Sequence, residues 1–185
     1  MTERMLVDYC SPTLAGIKTG SLFTVYEGIG TRIIHEICEF NRILYRFGIK
    51  AVCLRHSPRS TLVYVYRRNA LSRDWQSPLA QQMLRSRGYP CDNTERSIAM
   101  LGKHVCSDEE FPHEIGLFLG YPPSDVQAFI DHPCSGVKCV GCWKSFTNPE
   151  ECKRLTDSYN KCTETWRNKM SMGFSLEQLL VSLAA

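Results

Sequence analysis

The sequence predicts an α+β domain: a mostly antiparallel sheet of about four strands with helices packed on it. Three observations carry that reading. β-prone runs bounded by turn residues occur at 21–26, 51–55 and 61–66. Apolar residues between 31 and 47 recur at steps of three and four, which is one face of a helix. Helical segments of uneven length fill most of the remainder.

Taken in order, Cys10-Ser11-Pro12-Thr13-Leu14-Ala15-Gly16 reads as the start of a short helix. Ser11 is the N-cap and Pro12 takes the first helical position, where its missing N–H costs nothing. Gly16 and Gly20 end it. Residues 21–26 form a strand, Gly28-Ile29-Gly30 a turn, and Thr31 caps a helix running to about Phe47. Ile33, Ile37, Phe40, Leu44 and Phe47 share its buried face, Glu36, Glu39, Arg42 and Arg46 the other, and Gly48 closes it. Residues 51–55 and 61–66 make an antiparallel hairpin through Ser57-Pro58-Arg59-Ser60. Helices follow from Ser77-Pro78 to Gly88, from Thr94 to Val105, at His113, and from Pro122-Pro123-Ser124-Asp125 through Ile130. Val140 to Phe146 reads as a strand. Asn148-Pro149-Glu150 opens a long helix with Cys152, Leu155, Tyr159, Cys162 and Trp166 on one stripe, and Ser175 begins the last helix. With no internal repeat and no low-complexity linker, residues 1–185 are expected to form a single domain.

Composition narrows the function classes. A chain of 185 residues with 43% hydrophobic and 22% charged residues has room for a proper core. A net charge of +3 with scattered basic residues argues against nucleic acid, and no apolar run reaches transmembrane length. The first residues lack the long apolar stretch of a signal peptide, which points to the cytoplasm. Ten cysteines in that compartment are expected to be reduced thiols rather than a disulfide framework.

The stretches Cys10 to Gly16 with Lys18, Phe111 to Pro122, and Cys139 to Phe146 together resemble a family of bacterial proteins of unknown function. The resemblance covers nearly the whole chain and implies a cytoplasmic bacterial protein, but brings no mechanism with it. This chain departs from the family at Cys142, where an aromatic residue is usual.

The chemistry expected from the residues centres on Cys10. A thiol beside a helix N-terminus loses its proton more easily. With His113 as base and Glu114 as the carboxylate that fixes its ring, Cys10 would be a nucleophile. Consecutive helical side chains diverge, however, so Glu114 is poorly placed to orient its neighbour's ring. Ser11, Thr13 and Lys18 flank Cys10 as substrate-binding candidates. The competing reading packs Cys10 as a small hydrophobe and leaves His113 a polar cap. Gly16-Ile17-Lys18-Thr19 is not a phosphate loop, because Thr13 stands where the earlier glycine belongs. His113-Glu114-Ile115-Gly116-Leu117 is not a zinc-protease motif, since Leu117 replaces the second histidine.

Cys134, Cys139 and Cys142 have the C-x4-C-x2-C spacing of an iron–sulfur loop, with His132 nearby. The strand expected at Val140–Phe146 argues against it, and no metal ligand or cofactor is assigned. Tyr64, Tyr66, Trp143 and Phe146 read as a sheet face rather than a base-stacking surface. The sequence therefore leads to a thiol-dependent enzyme acting on a small molecule or peptide. The alternatives are a metal- or cofactor-holding sensor that uses cysteines, and a structural interaction protein.

Overall fold

The computed structural model describes residues 1–26, 30–107 and 110–183. Its elements run α1 (Glu3–Leu14), β1 (Gly20–Tyr26), α2 (Gly30–Leu44), β2 (Ile49–His56), β3 (Ser60–Arg67), α3 (Arg68–Asp74) and α4 (Pro78–Ser86). They continue with α5 (Thr94–Cys106), α6 (Ile115–Phe118), α7 (Pro123–Asp131), β4 (Cys139–Val140), β5 (Lys144–Ser145), α8 (Pro149–Ser171) and α9 (Leu176–Val181). The class is α+β, and every strand pairing among the described residues is antiparallel. No helix among them is long and apolar enough to cross a membrane. The chain divides into two compact units, one of residues 1–69 with 159–185, the other of residues 70–158.

The first unit is built on a three-stranded sheet in the order β1-β3-β2. Its middle strand β3 is buried from Thr61 to Tyr66, so it reads as a continuous apolar run rather than an alternation. On one face Val63 and Val65 join Phe23, Val25 and Ala51 against Leu6, Val7 and Leu14 of α1 and Ile33, Ile37 and Leu44 of α2. Tyr64 and Tyr66 lie on the other face, stacked at 5.0 Å between ring centroids. The β2–β3 hairpin turns at residues 57–60, as its sequence predicts. The α2 helix runs through a 3-10 turn at Tyr45–Phe47 into Gly48, whose φ of 70° is left-handed. The turn expected at residues 28–29 and the Thr31 cap lie outside the described residues. In α9, Ser175 and Gln178 form a reciprocal cap, and Leu176, Leu179 and Leu180 enter the core.

The first helix differs from its prediction. It starts at Glu3, where the Thr2 side chain accepts from the Met5 N–H at 3.2 Å, not at Ser11. Cys10, Ser11 and Pro12 therefore sit in its second half. Leu6, Val7, Cys10 and Leu14 supply a buried face at helical spacing, and that packing outweighs the one backbone bond Pro12 removes. Ser11 turns its hydroxyl back to the Val7 carbonyl.

The second unit is mostly helical. Trp75, Met83, Leu84, Tyr89, Leu101 and Phe118 are among its buried side chains. The Trp75 indole donates to the Leu117 carbonyl at 3.3 Å and meets the Phe118 ring edge-on. The strand expected over Val140–Phe146 is instead a small hairpin, two residues on each side, with the Gly141 N–H closing on the Trp143 carbonyl at 3.0 Å. Gly141 makes that turn possible, because a Cβ there would lie 2.2 Å from Thr156 Oγ1.

Candidate functional site

Cys10 has no exposed surface. Burial pushes its thiol far above the ordinary value, and the Lys18 charge and the Ser21 hydroxyl pull it back only in part. The residues flanking it serve the first unit's own architecture. Thr13 Oγ1 and Ser21 Oγ share a hydrogen bond at 2.9 Å. The Arg67 guanidinium donates to the carbonyls of Thr13, at 2.7 Å, and of Leu14, so it satisfies the free carbonyl end of α1. Gly16 follows at a left-handed φ of 84°. The Lys18 ammonium lies 5.8 Å from the centroid of the Tyr159 ring. His113 and Glu114, which the sequence grouped with Cys10, belong to the second unit.

There the stretch 111–122 lines several cavities, and His113 and Glu114 face different ones. Pro112 precedes a turn that leads into the four-residue α6, with Glu114 at its N-cap. Gly120, at a φ of 79°, ends that helix, and the Tyr121 N–H closes on the Gly116 carbonyl at 3.0 Å. Gly116 is required for packing, since a Cβ there would stand 2.8 Å from Val126 Cγ2 on α7. Across this turn His113 and Glu114 diverge, as adjacent side chains must.

His113 lines an apolar cavity of about 190 Å3 whose walls also include Leu119, Tyr121, Val126, Phe129 and Trp143. Its ring meets Phe129 edge-on at 5.0 Å, and its Nε2 lies 3.3 Å from a Glu110 carboxylate oxygen. Lys144 completes the wall, its ammonium 5.3 Å from the Phe129 centroid and 3.0 Å from the Pro133 carbonyl. Tyr121 stacks on Trp143 at 5.2 Å and donates to the Cys142 carbonyl at 3.0 Å. The indole N–H of Trp143 donates to Asp125 Oδ2 at 2.8 Å. The other oxygen of Asp125 accepts from the N–H groups of Phe146 and Thr147, each at 2.9 Å, and from the Thr147 hydroxyl at 2.7 Å. Burial alone would raise the Asp125 carboxyl; these donors outweigh it and hold the group below its ordinary value. A buried carboxylate thus fixes the Trp143 wall.

Glu114 lines a separate polar cavity of about 250 Å3 with Arg87, His104 and Ser107. The Tyr89 hydroxyl donates to Glu114 Oε1 at 2.7 Å and lies 2.8 Å from His104 Nδ1. Arg87 Nε stands 3.3 Å from the second Glu114 oxygen. Burial and the Glu114 carboxylate together push the Tyr89 hydroxyl far above its usual range, so it stays a donor. Of this cluster only Glu114 stands out in the sequence as a catalytic candidate. The signal for the others is weak: Tyr89 and Arg87 flank the helix-ending Gly88, and His104 sits in the last turn of α5.

The three cysteines with iron–sulfur spacing do not gather. Cys134 and Cys142 are exposed and Cys139 is half-buried. Among the described residues no group of three or more His, Cys, Asp and Glu side chains converges as metal ligands.

No curated protein matches the chain, and no solved structure does. The family described as a protein of unknown function (DUF3793) matches residues 6–180, nearly the full length, and the chain belongs to that family.

Proposed function

We propose that this chain is a small-molecule-binding protein whose site is the cavity walled by His113, Phe129, Trp143 and Lys144. The observation that supports this reading most is the make-up of that cavity: a mostly apolar, aromatic lining with one ammonium, one imidazole and the hydrogen-bonded Asp125 carboxylate at its wall, the usual composition of a ligand pocket. At about 190 Å3 it is smaller than the roughly 300–1,000 Å3 of pockets for drug-sized molecules. The ligand is therefore compact, with a flat apolar body and a hydrogen-bond acceptor that meets Lys144. A thiol reaction at Cys10 draws no comparable support, because a reagent reaches a fully buried thiol only after the core opens. A metal- or cofactor-holding role through Cys134, Cys139 and Cys142 draws none either. The same reading keeps the protein in a bacterial cytoplasm with its cysteines as thiols.

The test is a titration with small aromatic carboxylates and their neutral amides, followed at the Trp143 indole N–H by NMR. Saturable shifts at that resonance are expected. Lys144→Met should weaken carboxylate binding about 10-fold or more, the worth of one hydrogen bond to a charged group. If no compound moves the Trp143 resonance at millimolar concentration, the pocket reading falls.

A further inference from the structure

The β4–β5 hairpin and the start of α8 carry a pair of thiols that the binding proposal does not use. Cys139 is the first residue of β4 and faces Ser145 across the ladder. Cys152, in the first turn of α8, has no exposed surface. Its sulfur lies 3.8 Å from the Trp143 carbonyl, and a Cβ on Gly141 would stand 3.1 Å from it. The hairpin is thus folded directly over the Cys152 sulfur. Val140 and Lys144 are exposed and Ser145 is buried, so Cys139, which pairs with Ser145, lies on the hairpin's inward face, the one that covers α8. Cys139 is half-buried, so the two thiols differ in access: a reagent reaches Cys139 and not Cys152.

We propose that Cys139 and Cys152 are a peroxide-responsive thiol pair, closing to an intrachain disulfide that ties the hairpin to α8. Attack by the Cys139 thiolate on a peroxide oxygen forms an S–O bond, breaks the O–O bond and releases water or an alcohol. The Cys152 sulfur then attacks the sulfenic Sγ of Cys139, forming the S–S bond and releasing water. Two thiols are oxidised and one peroxide is reduced. Burial and the neighbouring Cys139 thiol raise Cys152 to about 11. Its burial keeps it from direct oxidation until a sulfenic acid forms beside it. Trp143 sits on the same hairpin and walls the apolar cavity, so the disulfide alters the mobility of that wall. Formation of the bond does not depend on any ligand occupying the cavity.

The experiment treats the reduced full chain with one equivalent of hydrogen peroxide, blocks the remaining thiols, and maps the cysteines by peptide mass. A Cys139–Cys152 linked peptide is expected, reversed by dithiothreitol. Cys152→Ser should abolish the link and leave Cys139 trapped by dimedone as a sulfenic acid. Should that core variant fail to fold, Cys139→Ser, at the more accessible position, serves instead: Cys152 should then stay reduced under the same treatment. A link from Cys139 to Cys134 or Cys142 would overturn the proposal. So would a Cys139 that passes on to sulfinic acid while Cys152 in the same molecule remains a thiol.

Discussion

In the first unit several buried or half-buried polar side chains complete the backbone, and in the second a cluster of them meets at a cavity wall. Arg67 satisfies the last carbonyls of α1, Ser11 bonds back to Val7, and Asn41 both donates to and accepts from the backbone of Ala51 at 2.8 Å. In the second unit Glu114, Tyr89, His104 and Arg87 form one cluster, and Asp125 holds the Trp143 wall from below. The difference teaches that a chemically suggestive residue is judged by what its neighbours ask of it. Cys10 and Lys18 lie in a unit whose polar groups serve the architecture; His113, Lys144 and Glu114 lie where side chains line open space.

The strongest way to break this contrast is to empty the first unit's core. Ile37, at 5% exposure, packs in the cluster with Leu6, Val63 and Trp166. Ile37→Ala should cost about 2–5 kcal/mol in denaturant unfolding. A loss well under 1 kcal/mol would mean that this core is not the closed one described.

A smaller effect is expected at the polar cluster. Tyr89→Phe removes the hydroxyl between Glu114 and His104 and leaves both without that partner. It should cost about 1–3 kcal/mol, the range for stranding a buried polar group. An unchanged unfolding midpoint would show that water already serves Glu114 and His104, sharpening the case for an open polar site.

The smallest effect is one of rate. In native, reduced protein, alkylation should reach the exposed Cys38, Cys106, Cys134 and Cys142 first and the buried Cys10 and Cys152 last, at a pace set by opening of the fold. Peptide mass after a time course decides it. Early labelling of Cys10 below neutral pH would restore the thiol-enzyme reading and undo the comparison between the units.

The α2 helix and the β2–β3 hairpin were legible in the sequence because both rest on local rules, periodicity and turn chemistry, which the long-range fold reinforced. The start of α1 departs from the local rule that predicts it. Pro12 is a good first helical residue, but a helix already anchored by four buried side chains continues past it into its last turn. The strand expected at Val140–Phe146 failed for a different reason: Gly141 abuts Thr156 and Cys152 of α8, and no periodicity announces such a contact. Within the candidate site, the importance of 111–122 was legible as a motif. The split of His113 and Glu114 onto separate cavities was foreshadowed only by the rule that neighbouring side chains diverge.

The sequence by itself determined the α+β class, the antiparallel hairpin, the amphipathic face of α2 and membership of one family, because these follow from composition, spacing and residue order. Tertiary structure alone decided which polar residues meet. Tyr89, His104 and Glu114 come from three separate segments, as do Asp125, Trp143 and Cys152, and their side chains become neighbours only through packing at long range. The same packing took Cys10 away from water, and desolvation of a thiolate outweighs what a nearby lysine offers it.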